Sequence, residues 1–166
     1  MQFERGMSSR SSTRGIGYRA TRPEHADLDG SVAASRRKPG RFNTSEFGAL
    51  YLCREAPTAV EEFQATEDGR DAGGCVIAVV RFSVRNLLDL TYQSNLAAWG
   101  LDRDQLTSDD QTSCQQIARS AIERGWEGVQ WPSATGKGTS LALFLEKLAA
   151  GSTVELLRIT NTPDGS

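Results

Sequence analysis

Two adjacent carboxylates, Glu61 and Glu62, lie in a segment whose apolar residues recur at helical spacing. A fixed carboxylate can stabilise positive charge that develops on a substrate in a transition state. The apolar positions of this segment are Ala56, Ala59, Val60 and Phe63. At 100° per residue, Glu62 lies about 110° from the centre of the apolar face and Glu61 about 150°. The spacing predicts Glu62 beside the buried face and Glu61 nearer to solvent; the alternative is a pair of exposed carboxylates.

The charge of the chain is distributed unevenly. Residues 1–41 carry nine Lys/Arg against four Asp/Glu, whereas the remaining residues carry ten against seventeen. A segment this basic could hold an anion such as a phosphate, and a solvated basic surface is the alternative. The net charge of −2 does not indicate a nucleic-acid partner. Arg36-Arg37-Lys38 also lacks the interleaved aromatic residues of a nucleic-acid platform.

Several kinds of site are disfavoured by the residues present. His25 is the only histidine, which excludes a multi-histidine metal site and leaves no Ser/His/Asp triad unless His25 itself serves. Cys53, Cys75 and Cys114 are odd in number and lack CxxC spacing. We therefore expect no metal and no disulfide framework, and the cytoplasm as the compartment.

A glycine-rich segment, Gly136-Lys137-Gly138-Thr139, resembles a nucleotide-binding P-loop only in part. The P-loop pattern places glycine at position 131 and Ser or Thr at position 138. Trp131 and Gly138 occupy those positions. A plain glycine-rich loop is the better interpretation.

The elements that would position these residues form an α+β domain, a mixed β-sheet with about three helices. Strands are predicted at 15–20, 49–53, 75–80, 86–90, 126–131 and 154–159, and helices at 57–63, 114–122 and 141–149. Residues 21–47 are predicted to be a long loop. The expected organisation is a loosely ordered leader (1–14), one domain (15–160) and a flexible tail (161–166). Because no stretch approaches the roughly 20 apolar residues of a membrane helix, no membrane partner is expected.

Four elements in a fixed order make the chain resemble the RES family of toxins. They are Gly17-Tyr18-Arg19, then Gly40-Arg41-Phe42-Asn43, then Leu50-Tyr51-Leu52 with Ala59 and Glu62 following, and finally Pro132-Ser133-Ala134. Gln115-Gln116-Ile117-Ala118 precedes the Gly128-Val129 strand in the same order. The resemblance extends from about Gly17 to about Leu148 and implies an ADP-ribosyltransferase-like fold.

The resemblance implies a toxin of a bacterial toxin–antitoxin pair that breaks the nicotinamide–ribose bond of NAD. NAD would be a substrate, and the ADP-ribose would pass to phosphate or water. Such cleavage passes through an oxocarbenium-like state, which a carboxylate stabilises, and Glu62 is the candidate. Arg41, the stronger candidate, and Arg19 would hold the diphosphate, since the arginine fork matches phosphate geometry; the alternative is that either is a surface arginine.

The remaining site residues follow from the same resemblance. The Tyr51 ring would pack on nicotinamide, although a core tyrosine is nearly as good an interpretation. Ser133 would form a hydrogen bond to nicotinamide or phosphate. Asn43 is counted among the binding residues because it is expected to support the binding loop. Where relatives are expected to have an asparagine, before the predicted last helix, this chain has Thr139-Ser140, which could cap that helix.

Two other functions stay open at this point: a mono-ADP-ribosyltransferase that modifies a cellular protein, and a nucleotide-binding module without activity. For a toxin, the implied partner is a cognate antitoxin with an Xre-like, helix-turn-helix DNA-binding part, covering the active site. Self-association as a homo-oligomer is also left open.

Overall fold

The computed structural model describes residues 12–66, 69, 74–135 and 137–161. The predicted leader before residue 12, Gly136 and the predicted tail after residue 161 lie outside the described residues. The first strand begins at Thr13, two residues before the predicted start of the domain at Gly15.

A mixed sheet forms the centre of the fold, as the sequence predicts, and it has seven strands where six were predicted. Its strands are β1 (Thr13–Thr21), β2 (Leu50–Cys53), β3 (Val76–Val84), β4 (Leu87–Asp89), β5 (Gly128–Pro132), β6 (Thr139–Leu143) and β7 (Thr153–Thr160). Their order across the sheet is β4-β5-β6-β2-β1-β3-β7. The β4–β5 pair is parallel, and the other neighbours are antiparallel.

The formation of β3 is explained by its continuous run of apolar residues. Residues 77–80 are all buried, as expected for a continuous apolar strand covered on both faces. β3 pairs with β1 over nine residue pairs and with β7 on its other side. The strand therefore fixes the register of the half of the sheet that carries the first predicted motif.

The described residues include five α-helices. They are α1 (Leu28–Arg37), α2 (Ala56–Gln64), α3 (Gln93–Ala98), α4 (Arg103–Thr107) and α5 (Thr112–Glu123). α2 and α5 confirm two predicted helices. Cys114, Ala118 and Ala121 of α5 are fully buried in the largest core cluster, at the spacing that predicted the helix.

The predicted long loop at 21–47 is wrong, because a short 3₁₀ helix (Pro23–His25) and α1 lie within it. Asp27 caps α1 by accepting a hydrogen bond from Gly30 N at 2.7 Å. The buried positions of α1 are Ser31, Val32 and Ser35. Since two of the three are serines, the helix has little apolar periodicity to detect.

The predicted helix at 141–149 is also wrong. Residues 139–143 form β6, which pairs with β2 on one side and β5 on the other, and Leu145–Lys147 form a 3₁₀ turn. A short apolar run is ambiguous between a buried strand and a buried helix, and here two neighbouring strands supply hydrogen bonds that a helix would forgo. Thr139 and Ser140 are strand residues and cap no helix.

Glu127 joins loops that are distant in sequence, and its side chain is fully buried. Its carboxylate accepts hydrogen bonds from the backbone amides of Arg85, Asn86 and Ala149 at 2.8–3.0 Å. Burial alone would raise the pKa of Glu127, but the Ser152 hydroxyl and these amides favour the charged form and lower the pKa on balance.

No helix among the described residues is long and apolar enough to cross a membrane.

Candidate active site

A row of side chains crosses four neighbouring strands on one face of the sheet. Cys53 of β2 lies opposite Ser140 of β6 and Tyr18 of β1, and Trp131 of β5 lies opposite Ser140. Residues directly opposite each other in antiparallel strands point to the same face. The row therefore places a thiol and a hydroxyl side by side beneath α2.

Glu62 of α2 lies over this row, and three side chains donate hydrogen bonds to its carboxylate. Ser133 Oγ and Ser140 Oγ donate to Oε1 at 2.6 and 2.7 Å, and Cys53 Sγ donates to Oε2 at 3.1 Å. Glu61 is exposed and Glu62 half-buried, as the helix geometry predicts. The carboxylate is thus held in one orientation on the inner side of α2.

Cys53 acts here as a donor. Its side chain is buried, and burial raises the pKa of the thiol well above its usual range, with the negative charge of Glu62 adding to the effect. The thiol therefore stays protonated at neutral pH, which suits a hydrogen bond to a carboxylate and does not suit a nucleophile.

The segment from Gly40 to Asn43 folds around the hydroxyl of Tyr51. That hydroxyl donates to Asn43 Oδ1 at 2.7 Å and accepts from Phe42 N at 2.9 Å. Gly40 is needed because a Cβ there would lie 2.7 Å from the Tyr51 ring. Burial raises the pKa of Tyr51, so the phenol stays neutral. The ring is partly exposed and meets Trp131 edge-on at 6.3 Å between centroids.

Asn43 holds the loop together through its side-chain amide. Its Oδ1 also accepts from Gly40 N, and its Nδ2 donates to the carbonyls of Ser35, Thr44 and Phe47. The residue is fully buried, so its polar atoms serve the protein itself. Any contribution of Asn43 to ligand binding is therefore indirect, through the shape of the loop.

Arg41 reaches from this loop to α4. Its two terminal nitrogens donate to the carbonyls of Gln105 and Ser108 at 3.1 and 2.8 Å. Cys114 Sγ also donates to the Gln105 carbonyl, at 3.4 Å. Arg41 thus uses both terminal nitrogens to hold the end of α4 next to the site.

Arg19 is the second predicted phosphate ligand, and its surroundings differ. Its Nε is buried and has no hydrogen-bond partner in the part of the chain that the structure describes. Burial lowers the pKa of the guanidinium, and nearby Tyr51 opposes that shift. Because a buried donor without a partner costs roughly 1–3 kcal/mol, this arginine has a donor to offer to an anion.

A cavity of about 180 Å³ lies between α4 and the connection from β5 to β6. Its lining includes Arg103, Leu106 and Thr107 of α4, Pro132 at the end of β5, and Ser133, Ala134 and Gly138 of the connection. Because Ser133 also donates to Glu62, its hydroxyl links the cavity lining to the carboxylate. Among the described residues, no group of three or more His, Cys, Asp or Glu side chains is placed to hold a metal ion.

The structure brings some predicted residues together and adds two that the sequence did not assign to the site. Glu62 contacts Ser133, and Tyr51 contacts Asn43. Tyr51 and Cys53 of β2 connect the two groups, since Cys53 also contacts Glu62. The added residues are Cys53 and Ser140. Cys53 is two residues after Tyr51, so strand periodicity places both side chains on one face. Ser140 belongs to the pair that stands where relatives are expected to have an asparagine, and its position beside Glu62 follows once β6 is recognised as a strand.

Comparison with known proteins identifies similar chains. The sequence model of the RES domain matches residues 16–161. NAD(+) phosphorylase MbcT from Mycobacterium bovis and from Mycobacterium tuberculosis is 26% identical over 142 residues, which cover 81% of this chain and 75% of the relative.

A solved structure is similar over nearly the whole chain. A chain from the crystal structure of the M. tuberculosis MbcT–MbcA toxin–antitoxin complex superposes with a TM-score of 0.74 at 25% identity. The match covers 97% of this chain and 92% of that one. The α+β architecture and the strand order are therefore those of an existing fold.

Proposed function

Because the chain belongs to the RES domain family, we propose that it is a toxin that cleaves the nicotinamide–ribose bond of NAD and passes the ADP-ribose to inorganic phosphate. The observation that carries this proposal is the inward-facing carboxylate of Glu62, held by three donors. The similarity to an NAD(+) phosphorylase supports it.

Glu62 would stabilise the positive charge that appears on the ribose as the bond to nicotinamide breaks. The bonding electrons go to the ring nitrogen, so the pyridinium leaves as neutral nicotinamide and needs no proton. A carboxylate already oriented by Cys53, Ser133 and Ser140 pays little reorganisation cost when this charge develops. A simple binding module would not need such a carboxylate.

The arginines would hold the diphosphate of NAD. Arg19 offers its buried Nε, which has no partner among the described residues, whereas the terminal nitrogens of Arg41 already bind the carbonyls of Gln105 and Ser108. We therefore assign the main phosphate contact to Arg19 and a mixed role to Arg41. The partly exposed ring of Tyr51 would line the nicotinamide side of the site.

The protein would act in the cytoplasm with an antitoxin as its partner. The similarity to the toxin chain of the MbcT–MbcA complex supports this pairing. An antitoxin that covers the cleft would keep NAD from Glu62.

The first test is Glu62→Gln, which keeps the shape of the side chain and removes its charge. Nicotinamide release from NAD should fall by about 100-fold to 1,000-fold, the usual cost of losing one preorganised electrostatic contact. Expression of the wild-type chain alone should arrest growth and lower cellular NAD, and the variant should do neither. The matched control is Glu61→Gln, which alters the exposed neighbour.

An unchanged rate in the Glu62→Gln variant would contradict the assignment. Labelled NAD incubated with a cell lysate separates the protein-modifying alternative, since only that reaction leaves label on a protein band. The melting temperature of each variant shows whether its fold is intact.

A further inference from the structure

The cavity beside α4 combines one uncommitted cation with hydroxyl groups. Arg103 is exposed and forms no hydrogen bond or ion pair within the described part of the chain. The Thr107 hydroxyl makes only a long contact of 3.4 Å to the Asp104 carbonyl. Both side chains therefore have donors free for a ligand in the cavity.

The position of the cavity relates it to the proposed reaction. Ser133 forms part of its wall, and the hydroxyl hydrogen of Ser133 is committed to Glu62 at 2.6 Å. The donors available to a ligand are thus those of Arg103 and Thr107, and Ser133 can accept. At about 30 Å³ per water molecule, the cavity has room for a small hydrated anion.

The positive charge of Arg103 favours an oxyanion over the nicotinamide ring of NAD as the occupant of the cavity. The nicotinamide ring of NAD carries a positive charge, which a neighbouring guanidinium would repel. A tetrahedral oxyanion has the opposite charge and matches the arginine fork. The apolar residues Leu106, Pro132 and Ala134 only enclose the space.

We infer that this cavity binds the acceptor phosphate, with Arg103 and Thr107 as its ligands, an inference that rests on the proposed cleavage of NAD. An oxygen of monohydrogen phosphate donates an electron pair to the anomeric carbon of the ribose. The carbon–nitrogen bond breaks, and its electron pair goes to the ring nitrogen. The products are neutral nicotinamide and ADP-ribose 1-phosphate, with the phosphate proton retained on the new ester.

Arg103→Gln tests the inference when phosphate and NAD are varied separately and both products are measured. The KM for phosphate should rise about tenfold to 100-fold, the range for loss of one charge-assisted hydrogen bond, and the KM for NAD should change by less than about twofold. Thr107→Ala should raise the KM for phosphate about threefold to tenfold, as expected for a neutral hydrogen bond. Arg119→Gln is the control, since Arg119 is exposed on α5 and pairs with Glu46.

Three results would overturn the inference. A raised KM for NAD with an unchanged KM for phosphate would show that the cavity binds NAD and not phosphate. If the rate of nicotinamide release by the wild type does not depend on the phosphate concentration, the phosphate site is contradicted, whereas the proposed cleavage of NAD is not. If no nicotinamide is released at all, the proposed function fails. The phosphate site is then tested separately by calorimetry with inorganic phosphate. Equal binding of phosphate to the wild type and to Arg103→Gln would overturn the assignment of this site.

Discussion

Glu62 shows how three weak donors can define one functional group. Each of the partners Cys53, Ser133 and Ser140 is neutral and buried, and among the described residues no cation forms an ion pair with the carboxylate. A hydrogen bond to a charged group contributes about 1.5–3 kcal/mol. The carboxylate is therefore oriented while its charge remains available to a substrate cation.

The thiol of Cys53 can be tested by replacing its donor. Cys53→Ala removes the hydrogen bond to Oε2 and should lower kcat for nicotinamide release about tenfold, equivalent to about 1.4 kcal/mol, with little change in the KM for NAD. Cys53→Ser restores a donor and should recover most of kcat.

A purely structural role for Cys53 predicts another pattern. The melting temperature would then fall in both variants, and kcat would follow protein stability and not the presence of a donor. Steady-state kinetics with melting curves on the same samples distinguish the two roles.

The sequence could predict the direction of Glu62 and could not predict its partners. Helical geometry separates Glu61 from Glu62 because both lie on one local element. The contacts to Ser133 and Ser140 span 71 and 78 residues, so they depend on sheet register. The contacts of Arg41 with α4 are equally non-local.

α4 is a short element whose position depends on contacts from outside it. Asp102 and Gln105 form a capping box at its start, with each side chain binding the backbone of the other residue. Arg41 binds the carbonyls of Gln105 and Ser108 at its end. A helix of five residues has little stability of its own, so these contacts set its place at the cavity.

Arg41→Lys should loosen α4, because one ammonium group cannot reproduce the fork that bridges two carbonyls. Amide hydrogen exchange at residues 103–108 should become faster, and nicotinamide release should fall. Arg37→Lys, an exposed change on α1, should alter neither. If exchange stays at the wild-type rate while the KM for NAD rises, Arg41 binds the diphosphate directly.

Helices with a strong apolar periodicity could be predicted from the sequence. Elements that bury polar residues could not. α5 places Cys114, Ala118 and Ala121 in the core at helical spacing, which made it predictable. α1 buries two serines, which concealed it. β6 became a strand because β2 and β5 bind both of its edges, a fact that no local pattern contains.

Across the whole molecule, Glu127 connects segments that are distant in sequence. Its carboxylate binds the amides at 85–86, between β3 and β4, and at 149, before β7. The folded-state pKa of Glu127 is lowered from its ordinary value of 4.5. The stabilisation is therefore complete above the unfolded-state pKa and is lost as the pH falls through the folded-state pKa.

Glu127→Gln should lower the free energy of unfolding at pH 7 by about 2–4 kcal/mol, because one acceptor oxygen is replaced by a donor that faces backbone amides. The difference from the wild type should shrink in acid, as protonation removes the charge from the wild-type carboxylate. Chemical denaturation at a series of pH values measures this. Glu123→Gln, an exposed change at the end of α5, should shift stability by no more than about 0.5 kcal/mol. A gap that stays constant with pH would contradict the electrostatic explanation.

The parallel pairing of β4 with β5 has a consequence for how members of this family can diverge. Parallel neighbours need a crossover, and here residues 93–123, with α3, α4 and α5, form it. Insertions or exchanges near α4 would reshape the proposed acceptor pocket without breaking any hydrogen bond between strands. Under the proposed function, the preferred acceptor can then change from phosphate to water or to a protein side chain, while the residues proposed to break the glycosidic bond stay the same.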